Sequence, residues 1–226
     1  MTFAKIEEPF TSGAIITSEL SDRRSDVRVQ TVFRIGRVIA AADEGLVRIR
    51  NMSDQGVCLR IPASFPLSDR LKLQLADGVE LGGRIVWKEM DELGLQFDRS
   101  ISCSDLLATL AAGTRSGSTR PVRLPVATTA LTRSELGLRA VKVIDISQRG
   151  IKIMHDGGLT EGLYLGVTLP SGIDRRGIVR WAKGNMAGIM LLEPLSVEAL
   201  GSAKSLHYPP PPIQGLTEMS GRGRQS

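Results

Sequence analysis

The sequence predicts an all-β chain made of two tandem copies of one small antiparallel domain, a barrel of about six strands, each followed by a short helix. Three observations carry this. The first is a repeat: Asn51-Met-Ser53-Asp-Gln-Gly56 aligns with Asp145-Ile-Ser147-Gln-Arg-Gly150, and Trp87 and Gly94 align with Trp181 and Gly188, all at one offset of 94 residues. The second is a series of short apolar–polar alternating runs, roughly every 8–14 residues, separated by Gly, Pro and Asp turn signals. The third is that no helical pattern falls between those runs, which disfavours βαβ units. A closed barrel also removes exposed strand edges. At 226 residues the chain has room for two domains of about 100 residues each.

In the first copy, strands are expected at Val29–Ala41, Gly45–Arg50, Val57–Ile61, Leu71–Leu75, Val79–Lys88 and Leu93–Phe97. Asp43-Glu-Gly45, Asp54-Gln-Gly56, Pro62 to Pro66, Asp77-Gly78 and Asp91-Glu supply the turns. Ser104–Ala112 reads as a short amphipathic helix with a Ser cap, an apolar face of Leu106, Leu107 and Leu110, and Gly113 as its stop. The second copy repeats the series at Leu124–Leu131, Leu138–Ile146, Ile151–His155, Leu163–Leu169, Gly177–Lys183 and Ala187–Leu191, with Ser196–Lys204 as the counterpart helix. The chain therefore divides into an extension (1–20), a first domain (21–112), a flexible linker (113–119), a second domain (120–205) and a tail (206–226) that its Pro, Gly and Ser content marks as disordered.

Composition narrows the chemistry. Cys58 and Cys103 form no C-x-x-C, and the only histidines are His155 and His207, so neither a zinc site nor a catalytic constellation is expected. No apolar run nears the ~20 residues of a membrane helix, and the start of the chain carries Glu7 and Glu8 rather than an apolar signal core. A cytoplasmic protein without membrane insertion is the expectation. Charge is uneven: residues 1–110 hold 14 basic and 16 acidic side chains, residues 111–226 hold 15 and 8. The basic second half, with Arg175, Arg176, Arg180 and Lys183, suits either a solvated face or a protein or anionic surface. Nucleic acid is disfavoured as a partner, because aromatic platforms are scarce at 4%. Arginine outnumbers lysine 22 to 7, and guanidinium forks match phosphate oxygens and guanine edges.

Two elements stand out for binding. Arg24 and Arg28 form R-x-x-x-R on a polar stretch before the first strand, and Asn51, Ser53 and Gly56 form [DN]-x-S-x-x-G about 25 residues later. The turn alone is also a good hairpin connection, with Gly56 supplying backbone freedom. Together, in this order and near this spacing, the two elements resemble the signature of the PilZ family over residues 20–112, with a partial second copy over 118–204.

That resemblance implies a six-stranded barrel acting as a receptor for the bacterial second messenger cyclic di-GMP, not as an enzyme. It implies that Arg24 and Arg28 wrap the ligand and that Asn51, Ser53 and Gly56 form the facing wall, with Arg23 as an additional fork. The second copy departs from the pattern: Arg120 and Arg123 stand one residue too close, and Thr119 replaces the first arginine. Losing a charge-assisted hydrogen bond costs about 1.5–3 kcal/mol, so Arg120, Arg123, Asp145, Ser147 and Gly150 make a weak second site at most. Trp87 and Trp181 are expected to pack in the core or at the barrel rim. The functional expectation is a receptor that relays second-messenger level to an unidentified protein partner through loop ordering and domain rearrangement. The alternative is a ligand-independent scaffold of two barrels.

Overall fold

The computed structural model describes residues 29–62, 64–116 and 120–207. It contains two closed six-stranded antiparallel barrels. The first is built from β1 (Val29–Ile39), β2 (Glu44–Met52), β3 (Gly56–Arg60), β4 (Arg70–Ala76), β5 (Val79–Glu89) and β6 (Glu92–Phe97), closed in the order β1-β2-β3-β6-β5-β4. After it comes α1 (Cys103–Ser116). The second is built from β7 (Leu124–Ser134), β8 (Gly137–Ser147), β9 (Gly150–Met154), β10 (Tyr164–Thr168), β11 (Asp174–Lys183) and β12 (Met186–Leu191), closed in the equivalent order.

The 94-residue offset holds down to single pairings over much of the sheet. Gly56 faces Gln96 and Arg84 faces Gln96 in the first barrel; Gly150 faces Met190 and Ile178 faces Met190 in the second. Even the irregularity is shared, between Ile85 and Trp87 on β5 and between Val179 and Trp181 on β11. Alternation decides which residues fill the barrels, since successive strand side chains point to opposite faces. Leu71, Leu73 and Leu75 of β4 are buried while Arg70 and Lys72 are exposed, and β7 alternates through Leu124, Val126, Thr128, Ala130 and Thr132.

Alternation fails on β2, where Gly45, Leu46 and Val47 are buried in succession. Val47 packs inside the first barrel, but Leu46 belongs to the second hydrophobic core, with Leu200 and Leu206. The outer face of β2 is covered by the segment that follows the second barrel. Gly45 must be glycine there, because a Cβ would lie 1.9 Å from the Gly201 carbonyl oxygen. Buried Asp43 accepts hydrogen bonds from the Ser202 hydroxyl (2.5 Å) and the Lys204 amide (3.2 Å), and the Ala203 amide donates to the Glu44 carbonyl at 2.7 Å. Arg48 pairs with Glu198 at 3.0 Å and holds its carboxyl below the ordinary glutamate range, chiefly through their side-chain hydrogen bond.

Three sequence expectations are corrected. Helix α1 does not stop at Gly113; it continues to Ser116, so residues 113–116 are helix rather than linker, and 117–119 lie outside the described residues. The Thr114 hydroxyl donating to the Leu110 carbonyl at 2.8 Å is one contact within this extra turn. The segment Ser196–Lys204 is not a helix like α1 but holds short 3₁₀ turns at Glu198–Leu200 and Lys204–His207. It is broken over 201–203, where the Ser202 hydroxyl and the Ala203 and Lys204 amides bond across to the first barrel. The expected tail, 206–226, begins too early: Leu206 and His207 belong to the second 3₁₀ turn and Leu206 is buried, while residues from 208 lie outside the described residues.

Candidate functional site

The first barrel carries an open cleft of about 460 Å³ on its outer wall, lined by Asn51, Ser53, Gly56, Trp87, Gly94 and Gln96 among others. That size falls in the range of about 300–1,000 Å³ common for small-molecule sites. The sheet register explains the grouping. Asn51 on β2 pairs with Cys58 on β3, Cys58 with Gly94 on β6, and Gly94 with Trp87 on β5. The next row of the same wall runs from Gly56 to Gln96 to Arg84.

The turn between β2 and β3 is held from within. The Ser53 amide donates to the Gly56 carbonyl at 2.8 Å, and the Gln55 amide donates to the Ser53 hydroxyl oxygen at 3.4 Å. From outside, the Asp54 carboxylate accepts the Cys103 amide at 2.9 Å, capping the start of α1. Burial, with a contribution from the Asp54 charge, pushes the Cys103 thiol above the ordinary thiol range. Gly56 is required for approach, not for a left-handed backbone: it has no positive φ, and a Cβ would stand 2.6 Å from the Leu95 carbonyl oxygen. This fixed turn presents the Asn51 and Ser53 side chains at the cleft.

Of the two placements expected for the tryptophans, core or barrel rim, the core is ruled out. Trp87 is 44% exposed and Trp181 42%; neither is core. Each indole lies flat on the outer sheet face over a glycine, since a Cβ on Gly94 would come within 2.1 Å of Trp87 Nε1, and a Cβ on Gly188 within 2.1 Å of Trp181 Nε1. Trp87 thus offers a rigid aromatic wall beside the Asn51–Ser53–Gly56 ridge. The Trp…Gly spacing repeated in the sequence was the signal for this seat, legible only once the irregularity at Trp87 is known.

Arg23, Arg24 and Arg28 lie outside the described residues. The strand that follows them does not: Val29 pairs with Met52 and Gln30 with Asn51. The start of β1 therefore lies beside Asn51 and Met52. Arg28 immediately precedes that pairing. Arg24 stands five residues before Val29, within about 18 Å of extended chain, to which the length of its own side chain is added.

The second barrel shows an arginine at the corresponding place. Pro125 pairs with Asp145, as Gln30 pairs with Asn51, so Arg123 corresponds to Arg28 in register. The Arg123 guanidinium lies across the turn: Nε donates to the Asp145 carboxylate and Nη2 to the Gly150 carbonyl at 3.3 Å. Ser147 is buried and donates to the Gly150 carbonyl at 3.2 Å. Arg120, Arg123, Asp145 and Gly150 do line one cleft of about 440 Å³, but its central arginine is already engaged by an acid of its own barrel. In the first barrel the matching position is the neutral Asn51.

Against known proteins, residues 22–112 match the family model described as PilZ domain. A search of curated proteins finds no match. Among solved structures the chain is similar to the PlzA protein of Borreliella burgdorferi in complex with c-di-GMP, at 11% identity, TM-score 0.39, covering 82% of this chain and 95% of that one. It is also similar to the Bacillus subtilis inhibitor of motility MotI/DgrA (13% identity, TM-score 0.30, 74% and 90% covered). A third is the K. pneumonia MrkH–c-di-GMP complex (8% identity, TM-score 0.27, 76% and 84% covered).

Proposed function

With the first barrel a PilZ domain, we propose that the chain is a cyclic di-GMP receptor whose ligand sits in the cleft of that barrel. Arg24 and Arg28 close over it, with Arg23 as an additional contact. One observation supports this above the rest: the β1–β2 register pairs Val29 with Met52 and Gln30 with Asn51, and Val29 directly follows Arg28 in the sequence. A dinucleotide with two phosphates and two guanines asks for guanidinium forks, for short hydrogen-bonding side chains and for a planar surface on which to stack. Arg24 and Arg28, Asn51 and Ser53, and Trp87 supply these in turn. The second site is weak or silent, because Arg123 is held by Asp145 and Thr119 stands where a first arginine is needed.

The output is binding, not catalysis. Closure of the arm presents a new surface to a protein partner in the cytoplasm. The relay read from the sequence includes domain rearrangement. The contacts of Asp43, Gly45 and Arg48 with residues 198–204 make a hinge between the barrels costly. Calorimetric titration of cyclic di-GMP into the full chain tests the reading. Saturable binding that vanishes in Arg24→Ala/Arg28→Ala supports it; unchanged binding in that double variant rejects the site.

A further inference from the structure

The two barrels carry opposite surfaces at matching positions. In the first, a row on the outer wall runs Arg70, Arg84, Gln96, by the pairings of β4, β5 and β6. Asp98 closes it through a 2.5 Å ion pair to Arg70. In the second barrel the row in the same register is Tyr164, Ile178, Met190, and Leu192 stands in the place of Asp98. The charged and amide side chains of the row give way to Tyr, Ile, Met and Leu; Ile178 is half-buried, but Tyr164 is 67% exposed, Leu192 48% and Met190 37%.

Around this row the exchange runs the other way. Gly82, Val86, Cys58 and Gln55 of the first barrel are uncharged; Arg176, Arg180, Lys152 and Arg149 occupy the corresponding positions in the second. None of these four cations makes an ion pair among the described residues. Beside the row lies the recess of about 440 Å³ floored by Trp181 and Met190. A Trp–Tyr–Met centre bordered by three arginines and a lysine is the composition of a protein-binding patch, not of a solvated barrel wall.

We propose that this face of the second barrel is a docking surface for an acidic protein segment carrying bulky apolar side chains. The apolar row and the Trp181 recess accept the anchors, and Arg149, Lys152, Arg176 and Arg180 meet the carboxylates. The charge ring selects an acidic partner, and the recess selects a side chain over a flat bilayer surface. The inference does not depend on the ligand of the first barrel.

The test uses the full chain as bait for displayed random peptides, with the recovered peptides synthesised and their affinities measured. The comparison variant carries the first barrel's own residues, Tyr164→Arg, Ile178→Arg, Met190→Gln and Leu192→Asp. The proposal expects peptides combining Asp or Glu with Leu, Phe or Trp. Their affinity should fall more than tenfold in that variant, and several-fold with a shallower salt dependence in Arg176→Ala/Arg180→Ala. Should the fourfold replacement unfold, Tyr164→Arg alone replaces it. Recovered peptides that bind the variant equally, or no acidic–apolar enrichment, overturn the proposal. So do preferential binding to phosphatidylglycerol vesicles and a concentration-dependent dimer that the variant abolishes.

Discussion

Replacing Gly94 by alanine tests whether the Trp87 indole is a binding wall. The backbone at Gly94 is not in the left-handed region, so alanine brings no conformational strain there. The new methyl would stand 2.1 Å from Trp87 Nε1 and 2.5 Å from Cε2. Carbon contacts settle at about 3.5–4.0 Å, so the indole must lift from the sheet by roughly an ångström or more. Overpacking of this sort costs about 1–3 kcal/mol of stability. The cost falls at the low end, because Trp87 is 44% exposed and has solvent to move into. Stacking of a base on an aromatic ring is worth about 1–3 kcal/mol, so losing it weakens cyclic di-GMP binding by about 5- to 150-fold. Calorimetry gives the affinity, and fluorescence of Trp87 in a Trp181→Phe background reports whether the indole has moved. Gly188→Ala is an internal control, since it displaces Trp181 in the same way but should leave affinity unchanged. Wild-type affinity in Gly94→Ala, with a demonstrably displaced indole, would mean that no base stacks on Trp87.

Other perturbations separate the remaining parts of the account. Asp43→Ala removes the acceptor for Ser202 and Lys204 from a buried site and should lower stability by about 2–3 kcal/mol, read from urea midpoints. A neutral result would remove the claim that residues 198–204 lock the barrels together. The double replacement Thr119→Arg/Asp145→Asn frees Arg123 and supplies the missing fork; a second calorimetric binding event is expected, where the parent chain shows at most a weak one. The Glu198 carboxyl is depressed in the folded state, so its small stabilising contribution is present above the unfolded-state value and lost as pH falls through the folded one. Acid unfolding of Glu198→Gln should therefore show a slightly shallower dependence in that range, and identical profiles would dismiss the pair as inert. Buried Cys103, its thiol held neutral by burial, should resist alkylation near pH 8 until the chain unfolds.

The barrels were legible because strand periodicity is local and because the chain states its pattern twice. Leu-Lys-Leu-Gln-Leu at 71–75 could be nothing but a half-buried strand, and Trp87/Trp181 fixed the offset. What escaped the sequence depends on contacts between distant residues. Ser196–Lys204 looks helical alone, yet Gly201 and Ser202 answer to Gly45 and Asp43, more than 150 residues away. Gly113 resembles a helix stop, but α1 runs through it to Ser116. At the site, Asn51, Ser53 and Gly56 were recognisable from their spacing. Trp87 and Gln96 were not, because only the closed register carries β5 and β6 round to meet β2 and β3. The engagement of Arg123 by Asp145 likewise turns on geometry; the sequence showed only that the arginines were miscounted.

A crystal structure of the full chain with cyclic di-GMP decides whether the cleft of the first barrel is the ligand's seat. Expected are a guanine against the Trp87 indole, the Arg24 and Arg28 guanidinium groups on the phosphates or guanine edges, and Asn51 and Ser53 bordering the ligand. Ligand seated in the second barrel or between the barrels, with Arg24 and Arg28 directed away from the Asn51–Ser53–Gly56 ridge, would contradict that placement.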